Sequence, residues 1–420
     1  MLAVLLVIGS VMKNKTAAKI CRSLLLLMGA FAGWVIGMFA VPYIYPAEGI
    51  GIVTAACVAA FLLCMLLVWK PFGAKTRRRA ALVIAAVFLL PCIIIIGVRT
   101  YENSITEIHE SHVAYQEFYL GHYAPFQRDT MVKTLIGPPS LSIEANLPRL
   151  DGATALYPLY AAFVHAVYPY GTYEDYDPYK SFDSGGPIVK CSTTATAFEN
   201  LLSGRVDAIF VMDISESQWE KAKEREVSLS LTPIGSEAFV FFVNKRNTIT
   251  NLTVVDIRGI YSGRITNWKE VGGKNNAIRA YQRSPNSGSQ TALEKIMGNI
   301  PIMDPPEKDV QDMMMGMYKA VADYKNYKNA LGYSFLYYIT GMIAEDEVRL
   351  LSVNGIEPDA KNIANGRYPF AQNFYVVTVD REPETEEDAA RMENTQRLID
   401  WILSPQGQGL VEKTGYVPLF

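Results

Sequence analysis

Acidic residues are nearly missing from the first part of this 420-residue chain. Residues 1–100 hold one, Glu48, against ten lysines and arginines, a net charge of +9. The remainder carries 29 basic and 41 acidic side chains, a net of −12, so the near-neutral total conceals two unlike segments. Charge of either sign is absent from residues 23–47, 49–69 and 80–98. Each run is near the roughly 20 residues that cross a bilayer core, and the lack of ionisable groups inside them argues against a substrate pathway there. Three to four transmembrane helices are expected. A fourth apolar run, Met1–Met12, is only about half a span. The loops Lys13–Arg22 and Lys70–Arg79 hold four and five cations, whereas the loop around Pro46–Gly49 holds none. Basic loops stay cytoplasmic, which puts everything after Arg99 outside the cell.

Other absences narrow the function. Four of the five cysteines, Cys21, Cys57, Cys64 and Cys92, lie in or beside the apolar runs. Cys191 is alone in the outer part, so no disulfide framework is expected there, and it reads as a buried small residue. Only four histidines occur. His109 and His112 have metal-like spacing but no third ligand at useful distance, so no metal site is expected. No G-x-x-x-x-G-K-[ST] pattern appears, so an ATPase would be a separate chain. No A-x-A cleavage pattern clearly precedes the soluble part.

What is present is an alternation. The apolar stretches Asp207–Met212, Ala238–Asn244, Ala330–Tyr338 and Phe374–Val379 are short and rich in β-branched or aromatic residues, as buried strands are. Between them, Ala155–Tyr168, Thr196–Arg205, Thr291–Met297 and Thr395–Ser404 repeat at helical spacing. The fold class is therefore α/β. Residues 101–145 read as a polar extracellular stalk with His109, His112 and His122, and residues 146–420 are long enough for two lobes. The tyrosine-rich run from Tyr168 to Tyr179 reads as a loop over a lobe edge, and Trp268 as a structural residue.

Three predicted helices begin in hydroxyl-rich or small residues. The stretch from Ala280 to Met297 places Ser287, Gly288 and Ser289 before the apolar stripe of Leu293, Ile296 and Met297, with Arg283 just upstream. Backbone N–H groups at a helix start are unpaired and carry the positive end of the dipole, so they bind anions. Arg283 adds a fork suited to tetrahedral oxyanions. Gly152, Ala153 and Thr154 form a second such entrance, and Ser192, Thr193 and Thr194 a third. Such ends are expected to converge at the carboxyl edge of a sheet. The strand through Ala208 reads as ending at Asp213, followed by a Ser215–Gln218 capping box. A carboxylate beside an anion site accepts a hydrogen bond from an oxyanion that keeps a proton, which favours phosphate over sulfate.

These segments, with "IRGIYSGRITNWKEVGG" (Ile257–Gly273) and "DWILSPQGQGLVEKTGYVPL" (Asp400–Leu419), resemble the solute-binding proteins of high-affinity phosphate ABC transporters over roughly residues 146–420. The resemblance implies a two-lobed, Venus-flytrap α/β domain, with lobe one at about 146–244 and 366–420 and lobe two at about 245–365. It is preceded here by the all-α transmembrane region of residues 1–100 and the stalk of 101–145. It implies phosphate ligands at Thr154, the backbone of Ala155, Thr194 with Thr193 or Ser192 as rivals, Arg283, Ser287, Gly288 and Ser289, with Thr291 competing with Ser289. Asp213 would be the acceptor of the phosphate proton. The spacing from Thr194 to Asp213 is about one residue long against the family pattern.

The expectation is therefore a multi-pass membrane protein whose extracellular domain captures inorganic phosphate. Its partners would be an ABC permease with its ATPase subunits and the lipid bilayer, not nucleic acid. No cofactor, metal or catalytic residue is expected. The alternatives are a phosphate sensor using the same pocket and, of a different class, a secreted-type phosphatase.

Overall fold

The computed structural model describes residues 120–170, 188–306, 309–323, 328–344 and 346–420. The chain divides into two units, Met1–Glu107 and Ile108–Phe420, and the described residues belong to the second. The expected membrane spans, His109, His112 and most of the tyrosine run lie outside the described residues. Among those described, no helix is long and apolar enough to cross a membrane.

The mixed α/β architecture is built on one seven-stranded sheet. In chain order its first parts are β1 (Leu150–Gly152), α1 (Tyr157–Val167), α2 (Thr193–Leu202), β2 (Ala208–Val211), α3 (Glu216–Glu224) and β3 (Ser228–Asn244). Then come β4 (Asn251–Leu252), α4 (Val254–Tyr261), β5 (Arg279–Ala280), β6 (Gln282–Arg283), α5 (Gly288–Met297), β7 (Val310–Gln311), α6 (Met314–Ala322) and β8 (Ala330–Phe335). The chain closes with β9 (Val348–Leu350), β10 (Ser352–Val353), α7 (Ala360–Ala364), β11 (Ala371–Asp380), α8 (Glu386–Ile402) and α9 (Pro405–Thr414). The sheet order is β1-β2-β11-β3-β8-β5, with β9 also on β3.

β3 is the element that joins two halves. From Ser228 to Ala238 it pairs with β11, and from Phe239 it changes partner to β8 and then β9. The apolar stretch Ala238–Asn244 is thus only the later part of a strand whose earlier part is half-exposed and polar, so its burial pattern is mixed. β2 shows why its stretch is continuously apolar. Ala208 and Phe210 enter the large core cluster while Ile209 and Val211 enter a small one with Phe198, Leu201 and Val377, so both faces are covered. Each such large side chain contributes about 1.5–3 kcal/mol when buried.

Gly152 is required by the close approach of β1 and β2, since a Cβ there would lie 2.6 Å from the Phe210 carbonyl oxygen. The Ser215–Gln218 capping box forms as read from the sequence. Cys191 is a buried free thiol, as expected, and burial pushes it up to about 12. Trp268 is buried in the second half.

The segment 120–145 differs from the expected stalk. Leu120, Tyr123, Val132, Leu141 and Ile143 join the large core. The Gln406 side chain accepts from Ser140 N (2.8 Å) and donates to the Pro138 carbonyl (3.1 Å), and Lys413 donates to the Thr134 carbonyl (2.7 Å). Its apolar residues follow neither helical nor strand period, which is why the sequence pattern concealed the packing.

Candidate anion-binding site

A small cavity of about 30 Å³ lies between the two halves of the sheet. Helix starts and the chain before them build its walls. At the first, β1 runs through Ala153 into a tight turn at Thr154–Leu156 with no side-chain cap, and Ala153 N donates to the Phe210 carbonyl (2.8 Å). At the second, α2 also begins without a side-chain cap. Thr193 there has φ 74°, a left-handed value that strains a β-branched residue by about 1–3 kcal/mol. At the third, Ser287 caps α5 by accepting from Gln290 N (3.2 Å). A fourth helix start was not foreseen: Met313 and Met314 open α6 without a side-chain cap. Their apolar side chains gave no sign of it in the sequence.

Thr154, Ala155, Thr193, Thr194, Arg283, Ser287, Gly288 and Ser289 all line this cavity, with Ala153, Met313, Met314 and Phe335 completing it. At Gly288 the halves approach closely, since a Cβ would meet Thr194 Oγ1 at 3.1 Å. Thr291, the alternative to Ser289, is buried on α5 but is not a lining residue.

Arg283 is the unusual group. Its side chain is buried, Nη2 donates to the Asp312 carbonyl (2.9 Å), and Nε is buried without a hydrogen-bond partner. Its backbone N donates to Tyr333 Oη (2.8 Å) and Gln290 Oε1 (3.1 Å), and the tyrosine donates in turn to that same amide oxygen (2.5 Å). The Asp312 carboxylate is engaged by Ser284 Oγ (2.5 Å). No carboxylate forms an ion pair with Arg283 among the described residues. Burial lowers its pKa, opposed by Tyr333, Tyr338 and Asp312. A buried cation costs several kcal/mol unless an anion answers it, so the cavity is electrostatically complementary to one.

A buried carboxylate that the sequence reading missed holds two of the entrances together. Asp151 Oδ1 accepts from Gly152 N and Ser192 N (2.8 Å each), and Oδ2 accepts from Asn200 Nδ2 (2.8 Å) and from Ser192 Oγ. Ser192, a rival ligand on paper, therefore has its hydroxyl turned to Asp151. A charged residue closing an apolar strand ahead of Gly152 was the available signal.

A profile of the PBP superfamily domain matches residues 145–406. The chain belongs to the PBP superfamily. Among curated relatives of this superfamily member, the phosphate-binding protein PstS of Bacillus subtilis is 28% identical over 178 residues, which is 42% of this chain and 53% of that protein. PstS of Borreliella burgdorferi is 25% identical over 219 residues, 51% of this chain and 75% of that protein. The chain thus spans about half the length of the first of these relatives. A substrate-binding protein of Clostridium perfringens solved with bound phosphate is 23% identical, covering 66% of this chain and 100% of that one at a TM-score of 0.47.

In this superfamily member Asp213 is the predicted site residue that does not line the cavity. Its carboxylate is paired with Lys295 and accepts from Ile214 N (2.7 Å). β2 ends at Val211 rather than at Asp213, so Asp213 stands in the turn between β2 and α3, beyond the alternation of the strand, where Ile214 already packs into the small cluster. Beside it, Asn286 Oδ1 accepts from Ser215 Oγ (2.9 Å) and Ser217 Oγ (2.6 Å), so α3 and the start of α5 are tied across the cleft.

Proposed function

We propose that this chain is an extracellular receptor that captures inorganic phosphate between two lobes and passes it to an ABC permease with its ATPase. In this reading residues 1–100 anchor it in the cell membrane as a multi-span segment, with the binding domain outside. The observation that carries the proposal is the buried guanidinium of Arg283, with no ion pair and its Nε unpartnered, in a cavity where several helix starts converge. The phosphate-binding relatives name the anion class. Hydroxyls of Thr154, Thr193, Thr194, Ser287 and Ser289 both donate and accept, so they suit an oxyanion bearing one proton, with Ala155 and Gly288 offering backbone N–H groups. Capture without chemistry fits those relatives, which are named as binding proteins.

Calorimetric titration of the full-length protein with phosphate, sulfate and molybdate tests the proposal. Saturable binding with preference for phosphate is expected, and preference for sulfate at neutral pH overturns it.

A regulatory reading of the same pocket has one observation in its favour. Residues 120–145, which follow the N-terminal segment, touch both halves: Tyr123 Oη donates to the Gly341 carbonyl (3.5 Å), while Ser140 and Pro138 are held by Gln406. Replacing residues 1–100 with a lipid anchor separates the two. Rescued phosphate uptake supports transport, and retained binding with lost signalling supports sensing.

A further inference from the structure

The second half of the sheet carries another concave site at the end remote from the cleft. β3 runs antiparallel to β8, with Phe239 opposite Phe335 and Phe242 opposite Gly332. Phe335 lines the cleft cavity, so the chain leaving β3 after Asn244 and the chain entering β8 at Ala330 lie at the far end. A cavity of about 50 Å³ opens there. Arg246, Lys274 and Lys328 line it as exposed side chains, and Asn247 and Trp268 as buried ones. No carboxylate is among its lining residues.

The buried pair gives the site its chemistry. Trp268 is 1% exposed, and its Nε1 has no hydrogen-bond partner. Asn247 is 8% exposed, and its Nδ2 has none either. An indole can only donate. The orientation of the Asn247 amide is set by Ile249 N, which donates to Oδ1 (3.1 Å) and leaves the NH₂ as the unanswered end. Buried donors are nearly always satisfied, and two residues that line one cavity each leave one unanswered, which asks for an acceptor that is not part of the chain.

The scaffold is fixed independently of any ligand. Asn267 caps the short turn Trp268–Val271 together with Glu270, and Gly273 N donates to the Trp268 carbonyl (2.8 Å). On the other wall Arg349 Nη1 donates to the Asn247 carbonyl (2.7 Å). The basic side chains at the mouth, Lys274 foremost, favour an anion over a neutral acceptor, and the N–H groups of Trp268 and Asn247 favour acceptor oxygens.

We propose that this cavity is a second anion site, separate from the cleft, that takes a small oxyanion of the phosphate class, either free phosphate or the phosphoryl end of a monoester. It stands on its own donors and does not depend on the proposed function of the cleft.

The test uses the full-length protein, labelled with ¹⁵N at tryptophan and carrying Arg283→Met to silence the cleft. The Trp268 indole signal is identified by its loss in Trp268→Phe. Titration with inorganic phosphate and, separately, glycerol phosphate is expected to shift that signal saturably. Adding Lys274→Ala with Lys328→Ala is expected to weaken the response at least roughly fivefold, within the range of a few screened charges. A response to inorganic phosphate identifies the free anion, and a response to glycerol phosphate alone identifies the ester. A Trp268 signal unmoved by either ligand up to about 10 mM, beyond the millimolar range of weak specific binding, overturns the proposal. So does a response that the double lysine variant leaves unchanged. Because the cleft is silenced throughout, a failed cleft reading leaves this result intact.

Discussion

Arg283 keeps a charge in a place where the folded chain offers it a carbonyl and little else. The usual reason for such a residue is an absent anion, and its removal should act oppositely on binding and on stability. Arg283→Met keeps much of the side-chain volume without the charge. It is expected to lower phosphate affinity at least ~100-fold while raising the stability of the ligand-free protein by about 1–3 kcal/mol, as when an uncompensated buried ion gives way to an apolar side chain. Calorimetry and thermal unfolding without phosphate measure the two effects. Unchanged stability would mean that something else balances the charge. Asp213 is the converse case, a carboxylate beside the cleft whose charge is taken by Lys295. Asp213→Asn is therefore expected to change phosphate affinity by less than roughly tenfold, the scale of about 1.4 kcal/mol. A loss of ~100-fold would show that the carboxylate reaches the ligand after all.

Among the elements, β3 is the one on which both halves depend, and it carries a buried acid where its pairing changes hands. Glu237 is paired opposite Gln372, one residue before the last β11 pair at Ala238. Its Oε1 accepts from Ala238 N (3.1 Å), and its Oε2 is buried without a partner. Burial pushes its pKa up to about 8 from 4.5. The folded state therefore holds a proton that the unfolded state loses once the pH passes 4.5. Stability from this group is complete below that value and is lost progressively as the pH rises towards 8. Glu237→Gln keeps the shape without the titration, so it should raise Tm by several degrees at pH 8 and by little at pH 4. Equal shifts at both pH values would exclude linkage as the cause.

The legibility of these elements varied for physical reasons. β2, β8, β11, α1 and α5 were readable because burial on both faces or on one stripe leaves an apolar run or a helical repeat. Three helix starts were readable because Ser, Thr and Gly there have a chemical motive. The start of α6 was not, since Met313 and Met314 show neither hydroxyl nor charge. Nor was the polar first part of β3, which is a strand by virtue of β11 beside it rather than by its own pattern. Asp151 was passed over because its role is to join segments far apart in sequence, and Asp213 was read as a strand end because composition does not show that β2 stops at Val211.

At the scale of the whole domain, the segment from Leu120 onward bears on how the cleft can open. Its first residues reach the second half, where Tyr123 meets Gly341, while from Phe126, whose N donates to His165 Nδ1 on α1 (3.4 Å), it lies against the first half. Tyr123 is also hydrogen-bonded to Tyr337, whose ring packs at a tilt against that of Tyr416, and Tyr416 Oη donates to the carbonyl of the cleft-lining Ala155. Its later part is held to the first half through Gln406 and Lys413. If the halves separate to release ligand, this strap cannot follow both, and its weaker end must let go. The Tyr123 contact is long at 3.5 Å and the Ser140 and Lys413 contacts are short, so the early part should detach. Ligand that holds the cleft closed then holds that part down as well. Hydrogen exchange on the full-length protein should show amides of residues 120–124 gaining protection when phosphate is added, while residues 134–143 change little. Arg283→Met should abolish the gain, because it removes the ligand's grip without touching the strap. Equal protection of the early part with and without phosphate would mean that the strap rides on one half alone and plays no part in reporting closure.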